Sequence, residues 1–103
     1  MPRPDRQPAA DRASRRPLRP RFRLGRTVAT PGALALGVDL GALLRRHHAG
    51  DWGDVCADDA EANDYALAGG ARLLSAYETP AGRVWVITEA DRSATTALLP
   101  SEY

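Results

Sequence analysis

The tightest constraint on the fold is the run Arg83-Val84-Trp85-Val86-Ile87-Thr88-Glu89. Side chains alternate across an extended strand, so Val84, Val86 and Thr88 share one face while Trp85, Ile87 and Glu89 share the other. Apolar residues on both faces, β-branched or aromatic, predict a central strand covered on each side. A second run, Thr95 to Leu99, is closed by Pro100, which cannot donate to a ladder. The five-residue connection Ala90 to Ala94 suits a hairpin loop. Upstream, Ala71 to Glu78 places Leu73, Ser75 and Tyr77 on one face and Leu74 and Ala76 on the other. Thr79-Pro80-Ala81-Gly82 has the turn chemistry to join it to the central strand. Three consecutive strands make an antiparallel meander, which needs helices on at least one face.

The chain has 103 residues, enough for one small domain with a modest core. No apolar run approaches a membrane span and the N-terminus lacks the apolar middle of a secretory signal, so a cytoplasmic protein is expected. Cys56 is the single cysteine. It is expected to be a small buried apolar side chain, although a thiol near two histidines leaves a nucleophile reading open.

The net charge of +1 conceals an asymmetry. Residues 1–26 hold nine arginines and two aspartates, whereas residues 27–103 hold five arginines against eleven acids. Five of the eight prolines fall in residues 1–21, with few apolar side chains among them, so a disordered tail is expected there. Arg12, Arg15, Arg16, Arg19 and Arg21 could form a nucleic-acid arm, because clustered arginines release counterions from phosphate. The chain contains no lysine, and a solvated Arg-rich tail is the competing reading.

Between tail and meander, Phe22 to Ala29 is a candidate edge strand interrupted by Gly25. Thr30-Pro31 reads as an N-cap followed by proline at the first helical position, starting a short helix that ends near Leu36. Asp39 caps a second helix, Leu40 to Ala49, whose buried stripe is Leu40, Leu43, Leu44 and His47. Its last turns hold Arg45, Arg46, His47 and His48, which suit the helix dipole without any metal. Trp52, in the turn Asp51 to Asp54, is expected to plug a gap between helix and sheet. Asp58-Asp59-Ala60-Glu61 has capping-box spacing for a third helix, Asp59 to Ala68, with Ala62, Ala66 and Tyr65 turned inward. The expected architecture is α+β: two or three short helices on a three- or four-stranded antiparallel meander over residues 22–103, behind the tail 1–21.

Several of these residues together carry a family resemblance. His48, Gly50-Asp51-Trp52-Gly53-Asp54, Asn63, Leu67, Gly70, Arg72 to Tyr77, Val84 to Ser93, Thr95-Thr96, Leu98-Leu99-Pro100 and Glu102-Tyr103 resemble a family of short bacterial proteins from plasmids and other mobile elements. Its members are catalogued as plasmid-related proteins, sometimes as a type I restriction endonuclease subunit M. The resemblance spans about Phe22 to Tyr103 and leaves the Arg-rich tail outside. A base methyltransferase needs a Gly-rich cofactor loop, an Asp/Asn-Pro-Pro-aromatic motif and a large sheet. The chain carries none of these.

Two constellations could carry function. His48, Asp51, Asp54, Glu89, Asp91 and Arg92 could form a small hydrolase or nuclease site: His48 as general base, carboxylates to orient it or hold Mg²⁺, Arg92 to stabilise phosphate charge. Their spacing matches no established metal or nuclease signature, and no cofactor is expected. The competing reading pairs Glu89 or Asp91 with Arg92 to fix the hairpin. The second constellation is an acidic surface of Asp51, Asp54, Asp58, Asp59, Glu61 and Asp64, with Trp52 among them, suited to a basic protein partner. Acids at a helix start are also routine solvated residues. The preferred expectation is a non-catalytic accessory or interaction protein, and no feature sets an oligomeric state.

Overall fold

The computed structural model describes residues 19–103, and the expectation for the tail falls, over residues 1–18, outside them. At Arg21 the chain is already attached, its N–H donating to the carbonyl of His48 at 2.8 Å. The described residues form β1 (Arg26–Ala29), α1 (Pro31–Ala35), α2 (Leu40–His48), α3 (Ala57–Gly69), β2 (Leu73–Thr79), β3 (Gly82–Thr88), β4 (Ala94–Leu98) and a 3₁₀ turn (Pro100–Glu102). This is the expected α+β class. No helix among the described residues is long and apolar enough to cross a membrane.

The sheet order is β1-β4-β3-β2. The β2-β3-β4 meander is antiparallel, with Tyr77 opposite Val84 and Val86 opposite both Ser75 and Ala97. The fourth strand departs from the all-antiparallel expectation: β1 pairs parallel with β4, from Arg26 opposite Ala94 to Ala29 opposite Ala97. The strand begins only after Gly25, whose φ of +67° and approach to the backbone of Ser93 leave no room for a Cβ.

One sheet face carries the core. Tyr77, Val84, Val86 and Ala97 are buried there beneath Leu36, Val38, Leu40, Leu43 and Leu44. Each fully buried valine contributes about 1.5–3 kcal/mol. The caps behave as their sequence requires: Thr30 Oγ1 accepts from the Ala33 N–H at 3.1 Å and Asp39 Oδ1 from Ala42 at 3.0 Å. A second cluster, Trp52, Ala66 and Leu73, is packed by Phe22, Val55, Ala60 and Leu67. On the other face Tyr103 meets Trp85 edge-on at 5.6 Å, leaving Trp85 half-buried while Ile87 is buried.

The third helix corrects three expectations. It starts at Ala57 with Cys56 as N-cap and no side-chain cap bond, so the Asp58-to-Glu61 spacing does not form a capping box. Cys56 is therefore exposed rather than buried. Ala62 and Tyr65 point outward, and Asn63 and Ala66 are the buried pair. Asn63 lies about 100° around the helix from Ala62 at 3.6 residues per turn, and its bonds to Leu74 turn that side to β2 while Ala66 stays inward as expected.

Candidate functional site

The Asp51-to-Asp54 turn lies along the outer edge of β2 and is consumed in closing it. Asp54 N–H donates to the Ala76 carbonyl at 2.6 Å, Ala76 N–H donates to Trp52 at 3.1 Å, and Asp54 Oδ2 accepts from Glu78 N–H at 2.9 Å. Asn63 on α3 continues the seal, donating to the Leu74 carbonyl at 2.8 Å and accepting from its N–H at 3.1 Å. Gly53 makes this approach possible. At its φ of +75° a Cβ would lie 2.2 Å from the Ala76 carbonyl oxygen and 2.5 Å from the Tyr77 ring.

Asp51 is equally committed. Its carboxylate accepts from Arg46 Nε at 2.7 Å, Arg46 Nη2 at 3.3 Å and the Gly53 N–H at 3.1 Å. Its carbonyl accepts from the Tyr77 hydroxyl at 2.6 Å, and the Arg46 guanidinium lies 4.6 Å above the Tyr77 ring. The Asp51 bond raises the Arg46 pKa, and burial raises that of Tyr77, so both keep their protons. Trp52 is 6% exposed, its Nε1–H donating to Asp64 at 3.0 Å. It fills the gap as expected and is not available as a surface residue.

His48 sits in the last turn of α2, half-buried, with Nε2 2.8 Å from the Phe22 carbonyl. Only a protonated nitrogen can bond a carbonyl, so Nε2 carries the proton and cannot serve there as a base. The Phe22 ring lies edge-on to His48 at 5.6 Å and to His47 at 5.3 Å.

The hairpin tip is also internally bonded. Arg92 adopts a left-handed φ of 62° and donates to the carbonyls of Ala66 at 2.7 Å, Ala71 at 2.6 Å, and Glu89 and Ala90 at 3.2 Å each. Its cation thus caps the C-terminus of α3, where the helix dipole is negative. Asp91 Oδ1 accepts from the Ser93 N–H at 3.0 Å, and bonds from the Ser93 hydroxyl and amide lower the carboxyl pKa. Glu89 pairs with Arg72 at 3.4 Å, and Arg72 donates to the Tyr103 hydroxyl at 2.8 Å. Of the six hydrolase candidates, His48 and Arg92 both approach the Phe22 ring, with Arg92 5.9 Å from its centroid, and Arg92 meets Glu89 through the Glu89 carbonyl rather than its carboxylate. Asp51 is turned to Arg46, Asp54 to β2, Glu89 to Arg72 and Asp91 to its own loop. Among the described residues no group of three or more His, Cys, Asp or Glu could hold a metal ion.

The polar group that does converge is one the sequence reading passed over. His47 is fully buried, with Nδ1 2.6 Å from Ser75 Oγ and Nε2 2.8 Å from Thr88 Oγ1. Thr88 Oγ1 lies 2.7 Å from Thr95 Oγ1, which donates to the Leu24 carbonyl at 2.7 Å. A carbonyl only accepts, so every proton in the row has one direction. Thr95 donates to Leu24, Thr88 to Thr95, His47 Nε2–H to Thr88, and Ser75 to the bare Nδ1. Burial, with the charges of His48 and Arg92 behind it, lowers the His47 pKa to about 4. The imidazole is therefore neutral at physiological pH. A serine beside a histidine would suggest nucleophilic catalysis, but Ser75 and Thr88 have no exposed surface. The row is a polar lock across the sheet. Part of its signal was present in the pattern: alternation set Ser75 beside Leu73 and Tyr77 and Thr88 beside Val84 and Val86, and His47 fell on the buried stripe of α2, with no polar partner assigned to any of them.

No protein-family model, curated protein or solved structure matches this chain. The resemblance to mobile-element proteins therefore bears only on the proposal below. Asp58, Asp59 and Glu61 are exposed on α3 and form no ion pair among the described residues. Tyr65, 77% exposed, joins Glu61 and Asp64 around a shallow depression. Of the arm residues, Arg12, Arg15 and Arg16 lie outside the described residues, while Arg19 and Arg21 are exposed.

Proposed function

We propose that the protein is a non-catalytic interaction module that offers the outer face of α3 to a basic protein partner. One observation carries the reading. Five of the six side chains suited to hydrolysis are engaged as bonded parts of the fold, and the sixth, His48, holds a backbone carbonyl. Asp58, Asp59, Glu61 and Tyr65 instead project from one helix without internal partners among the described residues. Acids in the first turn also suit the helix dipole, so holding them there costs the fold little. Clustered negative charge steers a positive partner and an exposed tyrosine anchors it. A mobile-element setting, which comes from the resemblance, and a cytoplasmic location, which comes from the sequence expectation, belong to the same proposal.

Reversing Asp58, Asp59 and Glu61 to lysine should abolish salt-sensitive co-purification of a basic protein while leaving the far-ultraviolet circular dichroism unchanged. Retention of the same partner by the triple variant removes the reading. The hydrolase alternative needs phosphodiesterase turnover by the purified chain that is lost in both His48→Ala and Glu89→Ala. A nucleic-acid role for the arm is supported by the exposed Arg19, Arg21, Arg23 and Arg26 leading into β1. It requires that deletion of residues 1–21 abolish salt-dependent DNA retention.

A further inference from the structure

The two edges of the sheet are finished differently. Along β2, five of the six outward backbone groups of Leu74, Ala76 and Glu78 are hydrogen-bonded by Asn63 and the Trp52–Asp54 turn. Among the described residues the β1 strand has β4 as its single neighbour. Arg26 and Thr30 direct their N–H groups at the carbonyls of Ser93 and Ala97, each at 3.0 Å. By alternation, Thr27 and Ala29 direct theirs away from the sheet, and among the described residues nothing bonds to them. Val28 between them is 43% exposed on the sheet face opposite the helices.

We infer that β1 pairs antiparallel with β1 of a second copy of this chain, about a two-fold axis through Val28, joining two four-stranded sheets into one of eight. The register follows from the backbone. A two-fold normal to the sheet keeps each residue on its own face, so it must pass through a residue pairing with itself. Centred on Val28, it sets Thr27 opposite Ala29 of the partner and Ala29 opposite the partner's Thr27. These are the residues with outward groups, and each such pair exchanges two hydrogen bonds. Val28 then meets its own copy in the close, non-hydrogen-bonded position. The row Leu74, Ile87, Thr96, Val28 in one chain continues into the same row of the other.

Charge selects this register and this occupant. Val28 self-pairing brings Arg26 opposite the partner's Thr30. Thr30 donates to Glu102 at 2.5 Å, and Glu102 also accepts from Gly32 at 3.1 Å and Leu99 at 2.8 Å, which lower its pKa. That carboxylate is ionised and held on the same face as Arg26, which forms no ion pair among the described residues. Two Arg26-to-Glu102 pairs then flank the two valines. Centring on Thr27 instead would place Arg26 opposite the partner's Val28 and leave Ala29 opposite Gly25.

The test is the association state of the full chain by sedimentation across a wide concentration range. The mass should rise from the 11.1 kDa of one chain toward twice that value. Thr27→Pro deletes an outward donor and spares the β4 ladder, and Arg26→Glu opposes Glu102; each should weaken association by about tenfold or more. In a Cys56→Ser background, Val28→Cys should oxidise to a covalent dimer, because the axis sets the two thiols face to face. Leu34→Cys, at a more exposed position, should not. A full chain that stays monomeric throughout overturns the inference. So does association that survives Thr27→Pro, equal crosslinking through Leu34→Cys, or dimerisation that appears only after residues 1–18 are removed, which would make the chain's own N-terminus the occupant.

Discussion

The β2 edge and the β1 edge belong to one sheet, yet one is closed with side chains and turns while, among the described residues, nothing bonds the outward backbone of the other. Along β2 the closing groups, Asn63, Trp52 and Asp54, come from segments that must also bury Trp52 and Ala66, so the seal is continuous with the core. At β1 the strand is four residues long, mostly exposed, and preceded by arginines. An exposed strand edge is a template for pairing, and proteins blunt such edges with charge and brevity unless they use them. The contrast separates where this molecule invests in stability from where it remains open to contact.

The largest effect should come from forcing the sealed edge apart. Gly53→Ala drives a methyl group into the Ala76 carbonyl and the Tyr77 ring and should cost about 4 kcal/mol, read by urea denaturation. A loss under about 1 kcal/mol would show that the turn is not fixed to β2.

Next is acid, which acts on the lock running from Ser75 in β2 to Leu24 before β1. The folded His47 pKa is about 4, against roughly 6.5 for an unfolded chain. Between these values the unfolded chain binds the proton more tightly. Stability should therefore be fully present above the upper value and fall as pH drops through the window, by up to about 3 kcal/mol. His47→Gln should remove that slope in denaturant titrations at successive pH values. A slope unchanged in the variant assigns it elsewhere.

Asn63→Ala, which strips two bonds from Leu74, should cost about 2 kcal/mol in thermal or urea unfolding. The smallest effect belongs to the open edge. Thr27→Pro should change folding stability by less than about 1 kcal/mol, because the lost N–H has no bond among the described residues. A penalty as large as that of Asn63→Ala would erase the distinction between the edges.

Much of this architecture was readable in advance, and the reason is local. The alternations of Leu73-Ser75-Tyr77 and Val84-Val86-Thr88 depend on a period of two, and the caps at Thr30 and Asp39 depend on three neighbouring residues. Where the local signal was degenerate the reading went astray. Acids at 58, 59 and 61 permit several helix starts, of which the helix takes the one at Ala57, and the outer edge of β2, bonded by Asn63, sets which face turns inward. The candidate site was less legible. His48, Asp51, Glu89, Asp91 and Arg92 were visible as polar residues at element ends, but their partners, Phe22, Arg46, Arg72, Ser93 and the C-terminus of α3, were mostly not.

What the amino-acid order dictated was the set of elements and the faces they would bury, because propensity, alternation and capping act within a few residues of one another. The parallel seating of β1 on β4, the lock through His47 and the closure of β2 by Asp54 and Asn63 arose only when segments far apart in the chain met. No local pattern encodes such meetings. They are chosen by which packing leaves the fewest buried polar groups without a partner, and that balance is struck over the whole body at once.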